Sequence, residues 1–271
     1  MPANAGSLAL AAVMSLAIGS CSHGATLAPL PPGGHHVLFV GNSLTYVNDL
    51  PSTVAAIAAA AGDTFRVATA AGPDLALIDH LNGATNAVAL IKSGPWEFVV
   101  LQQGPTTIRA CRDSLILWTR MFDPIIRAAG AKTALFMTWP APVSPGSFDD
   151  VRTSFRYAAG SVGGIFLPAG DALRLAMAAD NTIALYGPDG FHPSVVGTYL
   201  AALEIYERLS GRDVRTLPAR AFAGSAALSL PESTIRLLQR AAHEANATNP
   251  ANPPPPPPNE DPAPPPPGGR C

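Results

Sequence analysis

The stretch Val37-Leu-Phe-Val-Gly-Asn-Ser-Leu-Thr45 decides how the rest of the chain is read. Four apolar residues in a row, without the alternation of a half-exposed strand, describe a strand covered on both faces, as in a parallel sheet. Gly41 lets the chain turn sharply where the strand stops. In open α/β sheets, sites form beyond the carboxyl ends of the strands, and Ser43 falls there. The rest of the sequence can then be asked whether it supplies a base, an orienting acid and hydrogen-bond donors for that hydroxyl.

Working outward, apolar segments at 65–70, 96–101, 133–138 and 164–168 read as four further strands. They alternate with helical segments at 51–61, 75–81, 84–92, 113–129, 148–159 and 171–179, and helices at 194–209 and 231–245 follow. Strands alternating with helices predict an α/β fold, a five-stranded parallel sheet between helical layers. In the segment 113–129, Leu115, Leu117, Met121, Phe122, Ile125 and Ile126 are available for one apolar face.

The ends of the chain are of another kind. Residues 8–18 are an apolar run with the length of a signal-peptide core, too short to span a bilayer. Ile18-Gly-Ser-Cys21 follows and resembles a bacterial lipobox, in which the cysteine is lipidated; no Lys or Arg precedes the run. The expected organisation is a lipoprotein-type signal peptide over 1–20, a Pro- and Gly-rich tether over 21–35, one catalytic-size domain over 36–249, and a tail over 250–271. Twelve of the 22 tail residues are proline, a composition that predicts an extended or disordered segment. The expected location is the bacterial cell envelope or periplasm, with membrane attachment only through Cys21.

Of the 271 residues, 48% are hydrophobic and 13% charged, and the formal net charge is −2. Without a basic cluster, nucleic acid is not an expected partner, because phosphate neutralisation dominates such binding. Cys21, Cys111 and Cys271 are far apart, with neither metal-ligand spacing nor a disulfide framework, and Cys111 reads as a thiol. No metal or other cofactor is expected.

A serine hydroxyl is a poor nucleophile until a base takes its proton. Of the six histidines, His23, His35 and His36 lie in or beside the tether, His243 in the last helix, and His80 mid-helix, where it is expected on the surface. His192 differs. It stands in a Gly- and Pro-rich loop just before a helix, in Asp189-Gly-Phe-His192, where Gly190 permits a tight turn that returns the carboxylate to the imidazole. A carboxylate at one ring nitrogen fixes the tautomer and stabilises the imidazolium formed in catalysis. The competing reading of Asp189 is a turn residue that caps the following helix.

Gly41-Asn-Ser-Leu44 resembles the Gly-Asp-Ser-Leu block of the SGNH (GDSL-like) hydrolases, and Asp189-Gly-Phe-His192 resembles their Asp-x-x-His block. The longer stretches 41–51 and 189–200 are similar to a bacterial, exported branch of that superfamily, and the likeness covers about residues 36–212. It implies a flavodoxin-like α/β/α domain and a serine esterase. Ser43 would be the nucleophile, His192 the general base and acid, and Asp189 its orienting carboxylate. The implied oxyanion hole is made by the N–H groups of Ser43 and Gly72 and by a side-chain amide from the third block. Here that block reads Gln102-Gln-Gly-Pro105 in place of Gly-x-Asn-Asp, so the amide donor is Gln103 or Gln102. Asn42 stands where the superfamily has Asp. Tyr46, Trp139 and Phe191 flank the strand ends and are candidates for the pocket wall. The implied substrate is a small-molecule or carbohydrate ester, O-acetyl groups included. The alternatives are a lipase or acyltransferase on the same site, and a catalytically silent, envelope-tethered binding domain.

Overall fold

In chain order the elements are β1 (His35–Gly41), α1 (Ser43–Tyr46), α2 (Leu50–Ala60), β2 (Phe65–Ala71), α3 (Leu77–Leu81), α4 (Ala87–Ser93), β3 (Phe98–Leu101) and α5 (Arg109–Ala128), then β4 (Lys132–Phe136), α6 (Phe148–Gly160), β5 (Ile165–Leu167), α7 (Ala169–Ala179), α8 (Val195–Ser210), β6 (Ala221–Ala223), β7 (Ala226–Leu228) and α9 (Glu232–Thr248). This computed structural model describes Met1 and residues 34–257. The segment expected to be a signal peptide, the expected tether up to residue 33, Cys21 and the end of the tail lie outside the described residues. Among the described residues no helix is long and apolar enough to cross a membrane.

β1 to β5 form one parallel sheet in the order β2-β1-β3-β4-β5. The order reverses between β1 and β3, so the topological switch point lies at the carboxyl end of β1, where ligands bind in doubly wound sheets. Val37, Leu38, Phe39 and Val40 are all fully buried, as the uninterrupted apolar run requires. The edge strand β2 is only partly buried. Helices α2, α7, α8 and α9 pack on one another, and α4, α5 and α6 do likewise.

Four features depart from the sequence reading. First, α5 begins at Arg109, four residues before the expected start, and holds Pro124 within its 20 residues. Second, residues 221–228 form a small antiparallel hairpin that the sequence did not suggest. Its strands are mostly alanine and its turn depends on Gly224, which is in the left-handed region at φ 56° and gives its N–H to Thr53 Oγ1 at 2.9 Å. Third, the proline-rich segment starts against the domain. The Ala251 carbonyl accepts the Phe166 N–H at 2.8 Å, and Asn252 donates to the Gly164 carbonyl at 3.2 Å. A proline-rich strand has few N–H groups but keeps its carbonyls, and one of them gives the edge strand β5 a partner. Fourth, Cys111 is disulfide-bonded where a thiol was expected. The other two cysteines lie outside the described residues.

Candidate active site

The end of β1 is held by a ring of side chains. A Cβ at Gly41 would collide with Gln102 Oε1 and Thr45 Oγ1, so the close approach of β3's end to this turn requires glycine. Gln102 Oε1 accepts the Asn42 N–H and the Thr45 hydroxyl, both at 2.8 Å, while its Nε2 donates to Asn42 Oδ1 at 2.9 Å. Asn42 caps α1 by accepting the Leu44 N–H at 3.1 Å, and its Nδ2 donates to the Leu75 carbonyl at 3.1 Å. An aspartate could make the cap but not the bond to Leu75, since a carboxylate only accepts. Asn42 therefore suits this turn on its own terms. Ser43 follows as the first residue of α1, 9% exposed. A first-turn N–H has no partner within its helix.

After α1 the chain passes through Asn48 and Asp49, both in the left-handed region at φ 57° and 52°. Two consecutive non-glycine residues there are costly and persist only where surrounding bonds hold them. Asn48 Nδ2 donates to the Pro193 carbonyl at 2.9 Å and lies 3.0 Å from Thr198 Oγ1. Asp49 Oδ1 caps α2 through the Ser52 N–H at 3.3 Å. Asn48 thus ties the segment that carries Ser43 to the residue next to His192. This link is not legible in the sequence, because a polar residue between two helical stretches gives no signal for a partner 145 positions away.

The loop before α8 is built around Asp189. Its Oδ1 accepts the N–H groups of Phe191 and His192, each at 3.0 Å, and its Oδ2 lies 2.5 Å from His192 Nδ1. Gly190 takes φ 65° at the tip, as the tight turn requires. The hydrogen bond from His192 is the largest of the effects that hold the Asp189 pKa down, to about 2, with the Phe191 N–H adding to it. The aspartate is therefore both turn-former and imidazole partner, but it does not cap the following helix, contrary to the second reading of it. Trp139 Nε1 donates to the Phe191 carbonyl at 3.3 Å, and Tyr186 donates to the Pro140 carbonyl at 2.8 Å. Burial pushes the Tyr186 pKa up to about 12, so its phenol keeps the donor proton. Ser194 then caps α8 through the N–H groups of Val196 and Gly197. His192 Nε2 is buried and has no hydrogen-bond partner, so a bond from Ser43 Oγ is not made in this state.

The two glutamines differ sharply. Gln102 has its oxygen doubly engaged and its nitrogen bonded. Gln103 is 0% exposed; its Oε1 accepts the Leu77 N–H at 3.2 Å, which leaves Nε2 buried without a partner. Unpaired buried donors are rare and costly. The Gly72 N–H, an expected donor, instead bonds the Gly41 carbonyl at 3.3 Å. Of the candidate wall residues, Tyr46 is 41% exposed and Phe191 half-buried, packed edge-on to His192 with ring centres 5.2 Å apart. Trp139 is fully buried and supports the His192 loop from beneath.

His80, expected on the surface, is buried at 1% exposure. It follows Leu77 by three positions, so both occupy the inner face of α3. Away from β1, Glu207, Asp213 and His243 lie close enough to hold a cation. They already satisfy one another and their surroundings: His243 Nδ1 is 2.8 Å from Glu207 Oε1, Glu207 Oε2 accepts the Val214 N–H, and Asp213 pairs with Arg215.

A serine at the carboxyl end of β1, at the switch point of a doubly wound sheet, with an Asp–His pair on a loop tied beside it, defines the class: an α/β fold of hydrolase type. No protein-family model and no curated protein matches the chain. Solved structures do. A DUF4886 family protein from Bacteroides uniformis, 18% identical, aligns over 79% of this chain and 95% of its own with a TM-score of 0.65. A proposed SGNH hydrolase from Slackia heliotrinireducens, 29% identical, aligns over 64% of this chain and 98% of its own with a TM-score of 0.53. The chain shares its fold with both and is similar to SGNH hydrolases through the second.

Proposed function

We propose that this protein is a serine esterase that cleaves small acyl esters, with Ser43 as nucleophile, His192 as base and then acid, and Asp189 as the group that orients His192. The observation that carries the reading is a pair of orphaned buried atoms, His192 Nε2 and Gln103 Nε2. One is a base without a proton donor and the other a donor without an acceptor. The Ser43 hydroxyl is the donor the first would take, and the carbonyl oxygen of an ester bound at Ser43 is the acceptor for the second.

His192 Nε2 takes the Ser43 proton as Oγ attacks the ester carbonyl carbon. Charge gathers on the carbonyl oxygen, where the Ser43 N–H and Gln103 Nε2 donate to it. The alcohol leaves with the proton from His192, and water then releases the acyl group from Ser43 by the same steps in reverse. Asp189 keeps the proton on Nδ1, so Nε2 is the basic nitrogen. If the apolar run at residues 8–18 acts as the export signal its composition suggests, O-acetyl groups on envelope carbohydrate are the natural substrate class.

The test is turnover of short-chain chromogenic esters and of O-acetylated glycans by the wild type beside Ser43→Ala and His192→Ala. Hydrolysis lost in both variants supports the reading. Equal turnover in Ser43→Ala excludes it, and transfer of the acyl group to an added alcohol in preference to water points to an acyltransferase.

A further inference from the structure

His80 is a buried histidine that none of these steps uses. Both of its ring nitrogens are engaged: Nδ1 with Thr85 Oγ1 at 2.7 Å and Nε2 with the Gly41 carbonyl at 3.1 Å. A carbonyl has no proton to give, so Nε2 carries one. Thr85 Oγ1 already accepts the Ala87 N–H at 3.3 Å, which leaves its own hydrogen for Nδ1. The two contacts fit a neutral imidazole protonated on Nε2, with the Thr85 hydroxyl donating to Nδ1. Burial acts in the same sense, lowering the His80 pKa, while the Gly41 carbonyl and the neighbouring Asp79 carboxylate oppose it in part.

The Gly41 carbonyl and the Asn42 N–H belong to one planar peptide unit. His80 holds its oxygen end and Gln102 Oε1 holds its N–H end at 2.8 Å. A plane gripped at both ends cannot rotate, and the next Cα but one is that of the nucleophile. Gly72 adds only a long 3.3 Å contact to the same carbonyl.

We infer that His80 is a positioning residue for Ser43, its Nε2–H fixing the Gly41–Asn42 peptide plane and so the direction in which the serine hydroxyl leaves the end of β1. His80 touches neither substrate nor reacting atoms. As a statement about catalysis this rests on the serine-esterase reading; as a statement about geometry it does not.

The experiment therefore has two arms on the full chain. In the first, long-range proton–nitrogen correlation spectra of protein labelled with 15N-histidine, assigned with His80→Gln, report the tautomer. The expected result is Nε2–H with Nδ1 bare, unchanged between roughly pH 5 and 8, the range in which an ordinary histidine titrates. An Nδ1–H tautomer, or titration within that range, overturns the inference. The backbone amide of Ser43 is expected to shift in His80→Leu and to return toward its wild-type position in His80→Gln, whose side-chain amide restores a donor. An unmoved amide overturns it. In the second arm, His80→Leu is expected to lower kcat about 10- to 100-fold, as a misplaced reacting group does, with KM within about twofold. His80→Gln recovers most of that loss. Equal kcat per folded molecule in wild type and His80→Leu, with only Tm lowered, assigns His80 a purely structural role and overturns the proposal. Should His80→Leu not fold, Thr85→Val removes the Nδ1 partner together with the acceptor of the Ala87 N–H while leaving His80 in place, and both arms are read on it. If the wild type cleaves no ester, the esterase reading fails, and the spectra still decide the positioning claim.

Discussion

Replacing Gln103 with leucine separates the two glutamines that follow β3. Leucine fills similar space but carries no amide. The structure assigns Gln103 Nε2 no partner in the free protein, so its removal costs no hydrogen bond there. The lost acceptor for the Leu77 N–H costs about 1–3 kcal/mol, partly offset because a buried, unsatisfied amide is also removed. The net change in stability is therefore small, and Tm falls by no more than about 5 °C for a chain of this size. The effect on the transition state is large by comparison. One oxyanion donor contributes about 3–4 kcal/mol, so kcat falls about 100- to 1,000-fold. Gln102→Leu has the opposite profile. It strands the Asn42 N–H and the Thr45 hydroxyl and takes from Asn42 Oδ1 one of its two donors, the Leu44 N–H remaining, at a site 1% exposed, a loss of about 3–5 kcal/mol from three broken bonds. The assay is steady-state hydrolysis of a short-chain ester beside calorimetry on both variants. Full kcat in Gln103→Leu refutes the reasoning, and a loss of kcat confined to Gln102→Leu moves the donor role to Gln102.

Asn48→Gly keeps the left-handed backbone without strain but breaks the tie to Pro193, so kinetics should show a lower kcat at nearly unchanged stability, whereas Asn48→Ala should cost a further ~1–2 kcal/mol in a denaturant titration. Burial raises the Glu204 pKa, so the folded state holds that proton while the unfolded chain has released it, and the associated stability is lost as pH rises from the ordinary carboxylate value toward the folded one. Glu204→Gln should therefore raise Tm at neutral pH and flatten its decline from acid to neutral pH. Asp171 joins α7 to α6 and to the end of α9 through paired bonds with Arg152 at 2.7 and 2.8 Å and one from Asn249 at 3.2 Å. Asp171→Ala leaves Arg152 without that partner and should destabilise by about 3 kcal/mol in urea unfolding.

What could be read from the sequence was set by local chemistry. Val37–Val40 could only be a strand buried on both faces, Gly41 could only precede a sharp turn, and Asp189-Gly-Phe-His192 carried its own geometry within four residues, because its bonds are made between neighbours. What stayed hidden depends on distant partners. His80 read as a surface residue because its type is polar, although Leu77 three positions earlier marked the inner face of its helix; its acceptor is 39 residues away. The division of labour between Gln102 and Gln103 follows from which one meets Asn42 and which meets Leu77, a matter of strand packing that no local pattern encodes. The hairpin at 221–228 is built from alanine and glycine, whose strand preference is weak, and stands because Thr53 of another element accepts the N–H of its turn. The start of the proline-rich tail was judged on composition alone, which ignores that carbonyls without N–H groups can still partner an edge strand.

The central claim is that Ser43 is a nucleophile activated by His192. Intact-mass measurement after treatment with a serine-directed ethylphosphonate, followed by peptide mapping, tests it without knowledge of the natural ester. The account expects one phosphonyl group per chain, mapped to Ser43, abolished by Ser43→Ala and slowed strongly by His192→Ala in folded protein. A folded wild type that remains unlabelled, or that labels equally well without Ser43, would contradict it.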